Sequence, residues 1–76
     1  MGASTLLIFG GGGFVGGHLA TLAIQRGWRV LIADLSLHDR FSSDIWRQVD
    51  ITSREAVENL IYTERPRVAV SYWYEV

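Results

Sequence analysis

The sequence predicts a three-layer α/β fold, with a parallel sheet of strand order 3-2-1-4 held between helices. Three observations point to it. Short apolar runs alternate along the chain with segments whose apolar residues recur at three- and four-residue steps. The run Leu6–Phe9 is apolar without alternation, as strands covered on both faces are. Four consecutive glycines, Gly10 to Gly13, stand between the first run and the first helical segment, where a parallel crossover must begin.

Taken in order, Met1–Thr5 is a lead-in and Leu6–Phe9 the first strand. From Gly13 or Phe14 to Arg26 the pattern is helical, and Val15, Leu19, Leu22 and Ala23 form the expected buried stripe. Gly16 and Gly17 suit a helix packed tightly on a strand, and Gly27 suits a left-handed helix stop. Trp28–Ala33 is the second strand, with Asp34 at its carboxyl end. Leu35–Ile45 is polar, with a single helical turn expected near Ser43, and Arg47–Ile51 reads as a short third strand. Thr52-Ser53-Arg54-Glu55 fits a capping box with Thr52 as the cap. The helix after it, Ser53–Glu64, should bury Ala56, Val57, Leu60 and Ile61 before Pro66 ends it. Val68–Val70 opens a fourth strand that runs into the aromatic segment Ser71–Val76. Right-handed crossovers then put the first helix on one face and the second on the other. The fourth strand is left as an open edge, which a second copy or a partner chain at Val68–Val76 would cover.

The chemistry concentrates where the first strand meets the first helix. Glycines let the main chain turn tightly and approach a ligand without a Cβ in the way. The first turn of a helix presents unpaired N–H groups and the positive end of its dipole, a natural seat for a phosphate. Two glycine registers fit, Gly11-x-Gly13-x-x-Gly16 and Gly10-x-x-Gly13-x-x-Gly16, and spacing does not choose between them. A triphosphate-binding loop is excluded, because His18-Leu19 follows Gly17 where Lys-Ser or Lys-Thr is required. Asp34 lies 18 residues beyond Gly16, near the distance at which a dinucleotide fold places its ribose-binding acid. The lesser alternative for Asp34 is an ordinary turn residue.

Composition narrows the rest. Seventy-six residues allow one small domain, which buries only about 60% of its unfolded surface. There is no cysteine, and His18 and His38 lack metal-ligand spacing, so no metal site is expected. A net charge of −1 gives no electrostatic case for nucleic acid or an acidic membrane surface. No apolar run is long enough to span a bilayer and no signal peptide is recognisable, so a cytoplasmic location is expected. All seven basic residues are arginine; lysine is absent.

Phe9-Gly10-Gly11-Gly12-Gly13-Phe14-Val15-Gly16, continued by Gly17-His18-Leu19, resembles the glycine motif of the extended short-chain dehydrogenase/reductase superfamily, in particular its NAD-dependent epimerase/dehydratase branch. Phe9 replaces the usual threonine. The likeness covers essentially the whole chain but only the N-terminal part of such an enzyme, a truncated Rossmann-like sheet. It implies cofactor contacts at Gly10, Gly11, Gly12, Gly13, Phe14, Val15, Gly16, Asp34, Leu35, Asp50 and Ile51. In that scheme Asp34 accepts the adenosine ribose hydroxyls and repels a 2′-phosphate, favouring NAD over NADP unless Arg40 folds back. The Asp50-Ile51 pair would take the adenine ring, with a local turn before the helix as the competing role for Asp50. Bulky Tyr72, Trp73 and Tyr74 stand where the family has small residues, which suits core or interface better than cofactor contact.

Catalysis in that family rests on a Tyr-x-x-x-Lys pair, and a chain without lysine cannot form one, so Tyr62, Tyr72 and Tyr74 cannot be activated that way. His18 beside the glycine turn is expected to bond nearby backbone, and no catalytic residue is assigned. Three readings stay open. The chain is the NAD-binding N-terminal portion of an epimerase/dehydratase-like oxidoreductase, a non-catalytic nucleotide-binding or interaction module that oligomerises through its edge strand, or a remnant without a ligand.

Overall fold

The computed structural model describes residues 3–10, 14–35 and 43–71, with the side chains of Phe14, Val15 and Ser43 left aside. Four parallel strands form one sheet in the order β3-β2-β1-β4. These are β1 (Thr5–Phe9), β2 (Arg29–Asp34), β3 (Trp46–Gln48) and β4 (Val68–Ser71). The helices are α1 (Phe14–Gln25) and α2 (Arg54–Glu64), and a single 3-10 turn occupies Ser43–Ile45. The expected class and strand order are those observed: an α/β, Rossmann-like arrangement.

Strand alternation divides the core in two. Leu6, Ile8, Val30 and Ile32 point to α1, where Ala20 and Ala23 meet them and Leu19, Trp28, Ile45 and Val70 pack around. Leu7, Phe9, Leu31, Ala33 and Val49 point the other way, toward Ile51 and the α2 residues Ala56, Val57 and Leu60. Leu7, Ile8 and Leu31 are the largest fully buried side chains, each contributing about 1.5–3 kcal/mol through burial. The unbroken apolar character of Leu6–Phe9 thus has its cause: both faces of β1 are covered.

The buried stripe of α1 differs from the expected one. Gly16, Gly17, Ala20 and Ala23 are buried, whereas Leu22 is 47% exposed. Small side chains let the helix lie close on the sheet, which puts Leu22 at the margin of the contact. There it lines an apolar groove of about 240 Å³ with Leu6, Leu19, Trp28 and Val68, at the amino ends of the strands. In α2, Ile61 likewise stands exposed, and no residue of the helix is fully buried.

Helix ends follow local chemistry. Gly27 has φ +89° and stops α1, with Trp28 N–H donating to the Ala23 carbonyl at 3.0 Å. The cap of α2 is Ser53, not Thr52. The Ser53 backbone is extended, and its hydroxyl accepts the Ala56 N–H at 3.3 Å. Thr52 stands one residue further out, and its hydroxyl donates to Asp50 Oδ1 at 2.6 Å. At the other end Arg65 takes a left-handed φ of 48° and returns its N–H to the Ile61 carbonyl at 2.9 Å, just ahead of Pro66. Strand β3 is shorter than expected and starts one residue earlier, since pairing with β2 ends at Asp34↔Gln48.

Candidate functional site

The parallel register brings three of the sequence-predicted positions to one end of the sheet. Phe9 pairs with Ala33, so Gly10, just past β1, comes level with Asp34, the last residue of β2. Asp34 pairs with Gln48, and Asp50 lies two residues past it. Gly10, Asp34 and Asp50 therefore stand along the carboxyl edge, where ligands bind in open α/β sheets. The chain order β1-α1-β2 brings the N-terminus of α1 to the same edge. Between β1 and β4 the strand order reverses, with Phe9 opposite Ser71.

Gly10 contributes conformation. Its φ of +74° belongs to the left-handed region open to glycine, and its N–H is engaged by the Ala33 carbonyl at 2.8 Å. Any free main-chain donors at this turn must therefore come from later amides. Those of the first turn of α1, from Phe14 onward, have no partner inside the helix by construction. No acidic residue lies in that turn, so nothing on the helix itself neutralises the positive end. Gly16 is buried, as expected of a residue whose missing side chain lets helix and strand approach. Gly11, Gly12 and Gly13 lie outside the described residues, as do the Phe14 and Val15 side chains.

Asp34 is half-buried, and its Oδ1 accepts the N–H of exposed Leu35 at 2.7 Å. Among the described residues no donor reaches Oδ2. Its carbonyl accepts both the Val49 N–H at 3.2 Å and the Trp46 indole Nε1–H at 3.0 Å. The sequence reading assigns Trp46 no role, since it falls between the polar segment Leu35–Ile45 and the expected strand Arg47–Ile51; its indole N–H was the available signal.

Asp50 is exposed and organises the turn before α2. Its Oδ1 accepts the Thr52 hydroxyl and the Thr52 N–H at 2.9 Å, while its carbonyl accepts Ser53 N–H at 2.9 Å. The hydroxyl first, and then the amide, hold its carboxyl below the usual aspartate value. These bonds make Asp50 a turn residue and leave Oδ2 without a donor among the described residues. Ile51 is half-buried against the α2 face of the core. Arg40, His38 and the aromatic segment from Tyr72 lie outside the described residues, while His18 is exposed on α1. Among the described residues no group of three or more histidine, cysteine, aspartate or glutamate side chains could hold a metal, and no helix is long and apolar enough to cross a membrane.

In chemical terms, this edge offers main-chain donors for an anion at α1 and two carboxylates for hydroxyl or amino donors further along. Donors for an anion beside acceptors for hydroxyl groups are the kinds of group a dinucleotide-binding edge requires. Comparisons with curated proteins and with solved structures return no match. Residues 6–72 match the model of a family described as the NAD dependent epimerase/dehydratase family, which implies a nicotinamide dinucleotide cofactor. With a match that runs from the start of the core strand β1 through β4 and includes the whole carboxyl edge, the chain belongs to the NAD dependent epimerase/dehydratase family.

Proposed function

We propose that the chain binds NAD as the N-terminal dinucleotide-binding portion of an epimerase/dehydratase-like oxidoreductase and does not turn over substrate by itself. The observation that carries this is the shared carboxyl edge, where Gly10, Asp34, Asp50 and the start of α1 meet. First-turn amides of α1 and the glycine run would hold the pyrophosphate. Asp34 Oδ2 would accept the adenosine ribose hydroxyls, and Asp50 Oδ2 with the Ile51 N–H would meet the adenine. A carboxylate at position 34 favours NAD over NADP, since it repels a 2′-phosphate. When bound, the cofactor supplies a hydride acceptor; the residues of this chain hold and orient it. Catalysis would need an activated tyrosine, and the sequence has no lysine to lower a tyrosine pKa.

A thermal-shift series with NAD, NADP, ADP-ribose and ATP tests the reading. NAD and ADP-ribose should stabilise by about 2.7 kcal/mol at a hundredfold excess over the dissociation constant. No stabilisation by either, or an equal response to ATP alone, would sink it.

A second reading has its own support. Among the described residues strand β4 pairs only with β1, and Val68 is 39% exposed beside the apolar groove. An interaction module would pair this edge with a second copy or another chain. Light scattering separates the two: a defined dimer without NAD affinity favours the module, and a monomer that binds NAD favours the first reading.

A further inference from the structure

Asp34 is tied down by more than its place in the ladder. A carbonyl oxygen has two lone pairs, and both of Asp34's are occupied, by Val49 N–H at 3.2 Å and by Trp46 Nε1–H at 3.0 Å. Any residue at 49 other than proline supplies the first bond. Only an indole at 46 supplies the second in this way. Trp46 pairs with Ile32 in the β2–β3 register, two positions back from Asp34. Its half-buried ring must therefore run along the strand toward the carboxyl edge to reach the Asp34 carbonyl. The tie matters because β3 is only three residues long and forms the edge of the sheet, so few ladder bonds hold the end of β2 on that side.

We propose that Trp46 is a positioning residue for the ribose-binding carboxylate. Its indole N–H fixes the main chain of Asp34, the Leu35 N–H fixes Oδ1, and Oδ2 is thereby aimed outward with little freedom left to lose on binding. Affinity gained in this way comes from ordering done in advance. The inference rests on the dinucleotide reading above, and it assigns part of that affinity to a side chain that does not touch the ligand.

The test is a double-mutant cycle on NAD binding, measured by calorimetry. Trp46→Phe keeps an aromatic ring and removes the donor. A chain of this length is also within reach of chemical synthesis, so a benzothienyl analogue of tryptophan at position 46 can keep the full ring shape without the N–H. Both variants should bind NAD about three- to tenfold more weakly, the range of a single lost hydrogen bond. In an Asp34→Ala background the same changes should have no further effect. Unchanged affinity in the benzothienyl chain overturns the proposal. So does an equal loss with and without the Asp34 carboxylate, because the ring would then act through packing. Failure of the unmodified chain to bind NAD removes the dinucleotide reading together with this role; normal binding by chain and variants alike removes only the role of Trp46.

Discussion

At the scale of single residues, Asp34 and Asp50 show how alike two carboxylates look in sequence and how differently they are held. Asp34 accepts its neighbour's amide at Oδ1 and has no donor at Oδ2 among the described residues, whereas Asp50 is engaged in building its own turn. Asp34→Ala should weaken NAD binding about 10- to 100-fold in a titration, the loss of hydrogen bonds to a charged acceptor. Asp50 bears instead on the turn. Thr52→Ala should let its carboxyl rise toward the ordinary aspartate value, visible as a shifted carbon resonance in an NMR pH titration. Gly27 has open space where a Cβ would sit, so the cost of Gly27→Ala is backbone strain alone, about 1 kcal/mol in a denaturation curve. Gly27 as a stop was legible because few residues tolerate its φ. Two adjacent hydroxyls both fit a cap in the sequence, and what separates Ser53 from Thr52 is which one the Ala56 N–H reaches, a geometry the pattern does not contain.

Of the two helices, α2 is the one held less by burial. Ala56, Val57 and Leu60 touch the sheet, and the helix has no fully buried residue. Its last residue compensates. Glu64 accepts Arg47 Nε–H at 2.8 Å and lies 3.6 Å from the Arg29 guanidinium, with its side chain 15% exposed. Arg47, opposed by burial and helped by Arg29, holds the Glu64 carboxyl below its ordinary value of 4.5. The sign follows: the unfolded chain takes up the proton first on acidification, so this contribution is complete above about pH 4.5 and fades as pH falls through the lower native value. Glu64→Gln should flatten that part of the acid unfolding profile and lower the melting temperature at neutral pH. Strands and helices were legible here because periodicity reports which side of an element is apolar. It does not report how far a neighbour reaches, so Leu22 and Ile61, apolar and in phase, were expected inside and stand at the margin. The clasp on Glu64 was equally invisible, since it joins residues 17 and 35 positions apart.

For the molecule as a whole, the topology was readable because handedness and chain order leave little choice once four strands and two crossovers are recognised. Stability should be modest, of order 4–11 kcal/mol for a chain of this length. Leu31 is fully buried, and Leu31→Ala should cost about 2–5 kcal/mol, a large share of the total, read as a drop in denaturant midpoint. The central position of β1 carries a further consequence. Leu6 finds one neighbour in Val30 and the other in Val68, so no pairing in this sheet is local. During synthesis, β1 leaves the ribosome ahead of both strands it pairs with. It waits with one flank bare until Ser71 has cleared the exit tunnel, and a nascent chain stalled before that point presents Leu6–Phe9 to chaperones.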